Sequence, residues 1–244
     1  MNLIVDALAW IFAPAQWQGA NSIPILLGQQ LLFTLVSVAI AFLIAVPIGW
    51  AIGHTGRGRE VAVAVAGVAR AVPSFGLLLL LVLLFGVLRI PAAAIVTFVL
   101  LAIPSLLAGA YTGLEAIDRR TIDAARAVGM TEWQILWRVE VPLGLPLLVG
   151  GLRAAVLQVV ATVTIAAYVN LGGLGLPIIT GLALRQYQVV LGGALLVAVL
   201  ALVLDALLAL AQHAAVPAGV AADRTAGRSP RRRRKPVVVS AAAG

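Results

Sequence analysis

Five long apolar runs constrain this chain more than any other feature of its sequence. A helix needs about 20 apolar residues to cross a bilayer, and five runs approach or exceed that length: 24–52, 61–88, 92–113, 147–169 and 189–212. Of all residues 62% are hydrophobic and only 11% are charged, whereas about a quarter are charged in soluble domains. The sequence therefore predicts an all-α integral membrane protein with five transmembrane helices in one domain over residues 23–213.

The two ends of the chain are predicted to lie outside the spans. Residues 1–22 carry Trp10 and Trp17, which are typical of the membrane interface, and lack the basic start of a signal peptide. We expect them to form an outer interfacial segment. Residues 214–244 are predicted to form a disordered, basic cytoplasmic tail. Its Arg231–Lys235 cluster is interpreted as an anchor on anionic membrane lipid, with a specific protein contact as the alternative.

The distribution of basic residues predicts the orientation of the chain. With the N-terminus outside, 15 of the 17 cations fall in cytoplasmic segments or at inner helix ends, and only Arg89 and Arg185 face outside. Cytoplasmic loops carry the excess of Lys and Arg, so we expect an outside N-terminus and a cytoplasmic C-terminus in the cell (inner, cytoplasmic) membrane. Topology thus explains the net charge of +8, and no nucleic-acid partner is expected.

Missing residue types argue against several functions. The chain has no cysteine and only two histidines, His54 and His213, so no metal site is expected. A Walker A loop needs Gly-Lys followed by Ser or Thr, but the single lysine, Lys235, precedes Pro236. We therefore expect no catalytic residue and no cofactor in this chain, which is not an enzyme by itself.

A polar segment at 114–145, between the third and fourth runs, carries the most informative pattern. Asp118 is predicted to N-cap a first helix, and Gly129 to follow it in the left-handed conformation. Thr131 begins a second helix through a capping box, and Pro142 is predicted to end that helix. Physical reasoning alone leaves two roles open: a docking surface for another protein, or an amphipathic linker on the inner leaflet.

The spacing within this segment resembles the EAA motif of binding-protein-dependent ABC importer permeases. The matching positions are Asp123, Ala124, Ala125, Gly129, Val139, Val141 and Pro142. An aspartate stands for the usual glutamate, and two valines stand for the usual isoleucine and leucine. In that family the motif forms the coupling helix that docks on the ATPase. The resemblance therefore implies a MetI-like ABC importer permease architecture, with these residues coupling the ATPase to the spans.

Further stretches look like the glycine betaine/choline/carnitine branch of these permeases: Arg70–Ser74, Tyr111–Gly113, Gly151–Ala155 and Gly172–Gly175. The resemblance implies a permease subunit that translocates such osmoprotectants by alternating access, driven by ATP. The implied partners are an ABC ATPase subunit, a substrate-binding protein and a second permease copy, as a homodimer or a paralogous heterodimer.

Other functions remain open from the sequence. Methionine-importer permeases share the five-span plan, so methionine or another small solute is the alternative cargo. An ion-coupled secondary transporter would use Asp205 as its titrating group, although such transporters usually carry paired broken helices. A membrane scaffold without transport would not need the Gly-hinged segment.

Pro73 interrupts the second apolar run. It removes a backbone donor and biases Val72 away from helix, and broken helices in membranes are tolerated where protein or water satisfies the freed carbonyls. We expect Pro73, Ser74 and Phe75 to line a solute pathway. The alternative is a packing kink with Arg70 reaching toward the inner surface.

The stretch after the fourth run is a candidate outer gate. Tyr168, Asn170, Gly172 and Gly173 belong to it, and its glycines permit tight turns. A re-entrant gate and a plain outer loop are both compatible with this pattern. Tyr168 is also a candidate for cation–π contact with a quaternary ammonium group.

Arg153 and Asp205 are ionisable residues inside predicted spans, which marks them for a role. Each lies about seven residues from the inner end of its span, so their similar depth, at 1.5 Å of rise per residue, predicts an ion pair. A structural pair, a role in gating and a proton relay are the three alternatives.

Overall fold

The computed structural model describes residues 2–215, apart from the side chain of Arg70. The predicted tail beyond residue 215, with its Arg231–Lys235 cluster, lies outside the described residues. Within them the regular structure is entirely helical. The helices are α1 (Leu3–Phe12), α2 (Ile23–Thr55), α3 (Arg59–Ala71), α4 (Ser74–Phe85), α5 (Ile90–Glu115), α6 (Arg119–Ala127), α7 (Glu132–Ile135), α8 (Val141–Ala166), α9 (Gly175–Ala183) and α10 (Tyr187–Ala214).

Four helical stretches in the described residues are long and apolar enough to cross a membrane: Ile23–Thr55, Val87–Glu115, Glu132–Val169 and Tyr187–Ala214. A fifth candidate is the pair formed by α3 and α4, which is bent by 85° and counts as a span only if its two halves are taken together. At the bend Val72 is extended, as Pro73 predicts. The count of five spans and their membrane boundaries remain predictions.

The helix α8 packs against α5 at Gly109 and Gly113, which are four residues apart. A Cβ atom on Gly109 would lie 2.9 Å from the Cα atom of Gly151 in α8, and one on Gly113 would lie 2.7 Å from the carbonyl oxygen of Gly144. Backbones in lipid approach this closely only where side chains are absent. These four glycines therefore set the distance between α5 and α8.

The contact between α2 and α5 is built in the same way. A Cβ atom on Gly53 of α2 would lie 2.9 Å from the carbonyl oxygen of Tyr111, and one on Gly49 would lie 2.5 Å from the Cβ atom of Ala110. The helices α2, α5 and α8 thus form one tightly packed core, whose largest fully buried side chain is Phe98.

The outermost helices surround this core. The helix α10 packs on α8 and α9, and α1 packs on α10, where the Trp10 ring covers Gly192. The N-terminal segment, predicted to lie at the interface, is thus a helix docked on α10 with Ala7 fully buried. Its depth in the membrane remains a prediction.

Replacing Gly109 by Ala tests the glycine contacts. The new Cβ atom meets the α8 backbone, and overpacking of this kind costs about 1–3 kcal/mol. The purified protein in detergent is therefore expected to unfold at a lower temperature than the parent. The control is Gly28→Ala, because Gly28 lies in α2 with nothing within 4 Å of its Cβ position. An equal effect of both substitutions would contradict this account of the core.

Candidate functional site

The polar segment folds as its residues predict. The Asp118 carboxylate accepts a hydrogen bond from the amide of Arg120 at 2.9 Å and caps α6. Gly129 follows with a φ of +84°, and Thr131 with Gln134 forms a reciprocal capping box at the start of α7. Residues 118–135 are named the coupling segment below.

The EAA-like residues divide between two faces of the coupling segment. Ala125 is buried with Ile122 and Ile135 in a small hydrophobic cluster that holds α6 to α7, and Val139 packs against it. Asp123, Ala124 and Gly129 are exposed. Ala125 therefore closes the segment's own core, and only the outward face can meet another protein.

Apolar side chains lie beside the outward face. Val128 is 78% exposed and Trp133 is 69% exposed, whereas large apolar groups outside a membrane are normally covered by lipid or protein. Trp133 also stacks edge-on with Trp137, which does the same with Trp50 of α2. The exposed surface thus combines a carboxylate with small and large apolar groups.

Arg126 orders the surface by pairing with two carboxylates. Its Nε atom donates to Glu132 at 2.8 Å and its Nη2 atom at 3.1 Å, while Nη1 lies 3.5 Å from Asp123. The hydrogen bonds that Arg126 donates to Glu132, together with the negative charge of that carboxylate, raise the pKa of Arg126 above its usual value. The guanidinium therefore ties α6 to α7 across the Gly129 turn.

The prediction that Pro142 ends the second helix is wrong. The backbone continues from α7 through a π-helical turn, Leu136–Glu140, directly into α8. The amide of Val141 donates to the carbonyl of Leu136, five residues back. In a π turn the backbone hydrogen bonds span five residues instead of four, so the series of helical hydrogen bonds passes over one residue. The turn therefore accommodates Pro142, which has no amide proton to donate. The coupling segment is thus rigidly continuous with α8.

At the other end of the bundle, two glutamines of α2 hold the Gly-rich stretch in place. The side-chain oxygen of Gln29 accepts from the amide of Gly173 at 2.9 Å, and that of Gln30 accepts from Leu174 at 3.2 Å. Gln30 is fully buried, and its Nε2 atom also donates to the carbonyl of Val160. The stretch is therefore clamped to α2 and α8.

Sequence reasoning missed these glutamines. The sequence does contain a signal for them, which is a pair of side-chain amides inside an apolar run. A buried amide in a membrane must find hydrogen-bond partners, so such a pair predicts a polar contact with another segment. The loop conformation agrees with its residue types: Asn170, Gly172 and Gly173 all have positive φ.

Two of the predicted pathway residues meet. The ring of Phe75, just after the break in α3–α4, lies 5.7 Å from the ring of Tyr168 in an edge-to-face pair. Their exposed fractions are 37% and 58%. Pro73 and Ser74 lie at the start of α4, next to this pair in the chain. An aromatic pair thus stands where the broken helix approaches the end of α8.

Arg153 and Asp205 also meet, as a bidentate pair between α8 and α10. Nε of the guanidinium donates to one carboxylate oxygen and Nη2 to the other. Nearby, Gln212 donates to the carbonyl of Pro146 at 2.9 Å. Polar contacts therefore join α10 to α8 near the same end as the coupling segment.

Comparison with known proteins identifies the class of this chain. Residues 45–216 match the family described as binding-protein-dependent transport system inner membrane component. The chain belongs to this family and is a multi-pass transport permease subunit.

Several characterised relatives are similar over most of their length. The osmoprotectant import permease protein OsmW of Salmonella typhimurium is 34% identical over 200 residues, covering 79% of this chain and 91% of the relative. The glycine betaine/carnitine/choline transport system permease protein OpuCB of Bacillus subtilis is 30% identical over 193 residues, covering 79% and 88%.

A solved structure shares the architecture. It is a chain of the MetNI methionine ABC transporter in an inward-facing conformation, with a TM-score of 0.67, 25% identity and coverage of 78% of this chain and 94% of that chain. The all-α fold of an ABC importer permease, which the sequence predicts, is confirmed.

Exchanging the charges of Arg153 and Asp205 tests whether they act as a pair. Arg153→Asp or Asp205→Arg alone places two like charges together within a membrane, which is destabilising. The double exchange restores opposite charges and is expected to recover most of the folded yield in detergent. A double variant no better folded than either single variant would show that the pair does not stabilise the contact between α8 and α10.

Proposed function

We propose that this chain is the membrane permease subunit of an ATP-driven importer that translocates osmoprotectants such as glycine betaine, choline or carnitine. The observation that carries the transport mode is the capped coupling segment, whose Asp123 and Ala124 point outward while its backbone continues into α8. The cargo rests on the relatives: those with 30–34% identity are named for osmoprotectants, whereas the methionine transporter chain is 25% identical.

The coupling segment is the docking surface for a separate ABC ATPase subunit. Its exposed face offers Asp123 for orientation, Ala124 for close approach and Val128 with Trp133 for apolar contact. The alternative, a linker lying on the inner leaflet, is less favoured because Arg126 and Glu132 hold this face in one defined shape. ATP binding would move two such segments together and reorient the spans, as alternating access requires.

The solute pathway lies on the surface of the bundle and is completed by a second permease copy. The core of α2, α5 and α8 is closed by glycine contacts that leave no space even for a Cβ atom at Gly53, Gly109 or Gly113, and hence no room for a solute at these contacts. The exposed Phe75–Tyr168 pair is on the outside of that core. A homodimer and a paralogous heterodimer both satisfy this requirement.

The aromatic pair suits the proposed cargo. A quaternary ammonium group cannot donate hydrogen bonds and is attracted to the faces of aromatic rings. We assign Phe75 and Tyr168 as solute contacts, with Pro73 and Ser74 forming the break that presents them. The clamped stretch with Asn170, Gly172 and Gly173 forms an outer gate beside them, where a substrate-binding protein delivers the solute.

The proposed orientation places the N-terminus outside and the coupling segment in the cytoplasm, within the cell membrane. Arg57 and Arg59 follow the same end of α2 that contacts the coupling segment, and cytoplasmic loops carry the basic excess. The structural role of the Arg153–Asp205 pair is to fix α10 to α8, with gating as the second candidate.

Reconstituted uptake tests the function directly. Proteoliposomes holding this chain with its ATPase and binding protein are expected to accumulate radiolabelled glycine betaine, choline or carnitine only when ATP is enclosed with the ATPase. Uptake that proceeds without ATP, or uptake that is lost when only the proton gradient is collapsed, would overturn the proposal of an ATP-driven importer. Accumulation of methionine instead would overturn the cargo and keep the transport mode.

A variant of the same preparation tests the coupling segment. Gly129→Trp forces a side chain onto a residue with positive φ, at a cost of about 1–2 kcal/mol, and adds bulk to the exposed turn between α6 and α7. The variant is expected to insert normally and to lose most ATP-driven uptake. Wild-type uptake by this variant would show that the segment does not transmit the motion.

Replacing Tyr168 tests the solute contact. Tyr168→Ala removes a cation–π partner worth about 0.5–2 kcal/mol, so the KM for a quaternary ammonium solute is expected to rise about two- to thirtyfold. Tyr168→Phe keeps the ring and is expected to behave like the parent. Tyr187→Ala is the matched control, because Tyr187 has the same exposed fraction, 58%. Equal KM values in all three variants would exclude Tyr168 from the pathway.

A further inference from the structure

A polar chain runs from the exposed coupling segment into the base of the spans. It begins with Asp123, Arg126 and Glu132. The Oε2 atom of Glu132 then lies 3.7 Å from Nε2 of His54, at the end of α2. The other ring nitrogen of His54, Nδ1, lies 2.6 Å from Oε2 of Glu140. The exposed fraction of the side chains falls from 69% at Asp123 to 6% at Glu140, so the chain connects solvent to the protein interior.

The π turn makes this arrangement possible. Glu132 and Glu140 lie on one continuous helix, eight residues apart. In a regular α-helix, with about 3.6 residues per turn, the residue that shares a face with Glu132 after two turns is Val139. A π turn holds about one more residue than an α turn, so Glu140 takes that place. Both carboxylates therefore reach the same imidazole, one at each nitrogen.

Burial makes the contact between His54 and Glu140 obligatory. Because a carboxylate only accepts hydrogen bonds, Nδ1 of His54 donates to Glu140. Among the described residues, His54 is the side chain that bonds the Glu140 carboxylate. A buried carboxylate left without its hydrogen-bond partner is costly, so a displacement of Glu140 is expected to carry His54 and the end of α2 with it.

We propose that His54 and Glu140 are positioning residues that transmit the movement of the coupling segment to α2. The segment reaches α8 through continuous backbone, and it reaches α2 only through side chains. These are the His54–Glu140 pair, assisted by the contact between Glu132 and His54, and the edge-on rings of Trp133, Trp137 and Trp50. When an ATPase displaces the segment, α2 and α8 move as one body. This inference rests on the proposed function, and its test separates the two.

The test uses the reconstituted importer and measures glycine betaine taken up per ATP hydrolysed, together with the stimulation of ATP hydrolysis by loaded binding protein. His54→Leu and Glu140→Leu are each expected to lower the uptake ratio about two- to thirtyfold, the range in which single residues of such networks act. His54→Gln keeps a donor toward Glu140 and is expected to fall between these variants and the parent.

The double variant, His54→Leu with Glu140→Leu, separates transmission from stability. Replacing both partners of a buried polar pair by apolar groups leaves stability nearly unchanged. The double variant is therefore expected to insert into the membrane and to unfold at the same temperature as the parent. Its ratio of glycine betaine taken up to ATP hydrolysed is still expected to be low. His213→Leu is the matched control, because His213 also ends a long helix but bonds only the carbonyl of Ala209 among the described residues.

Two results would overturn the inference. Restoration of the uptake ratio in the double variant would show that the pair only stabilises the fold, and an unchanged ratio in His54→Leu would show that α2 follows by other contacts. Failure of the unmodified importer to take up any osmoprotectant would instead overturn the proposed function, and is seen before any variant is made.

Discussion

The structure depends on the glycine contacts that bring α5 within backbone distance of α2 and α8. Lipid offers no hydrophobic advantage for burying one apolar helix against another, so helices in a membrane associate mainly by close packing. The four-residue spacings of Gly49 with Gly53 and of Gly109 with Gly113 place two close contacts on each helix face. A side chain at any of them would separate the helices and loosen every other contact of the core.

This packing leaves the functional parts at the ends and on the outside of the bundle. The coupling segment extends from one end of α5 and α8, the clamped Gly-rich stretch closes the other end, and the Phe75–Tyr168 pair lies on the outer surface. A rigid core between two ends can carry displacement from one to the other as a lever. The contacts of Arg126 with Asp123 and Glu132, and of His54 with Glu132 and Glu140, attach the coupling segment to this rigid core.

Local patterns predicted local structure well. The caps at Asp118 and Thr131, the left-handed Gly129 and the extended Val72 are all determined by neighbours in sequence. The π turn was missed because a proline usually ends a helix. Here the helix continues through Pro142, since the packing of α8 on the core outweighs that preference. The hydrogen bonds between His54 and Glu140 and between Leu174 and Gln30 join residues 86 and 144 positions apart, and no periodicity in the sequence relates such partners.

The buried amide of Gln30 has a further consequence for the timing of water entry. Its oxygen holds the amide of Leu174 and its nitrogen holds the carbonyl of Val160, so both halves of the side chain are occupied while the outer stretch is closed. Lifting that stretch leaves the Gln30 oxygen and the Leu174 amide without partners in an apolar interior, at a cost of about 1–3 kcal/mol for each group. If this stretch opens as the proposed gate, water or a polar solute is therefore expected to enter with the movement and replace the lost hydrogen bonds.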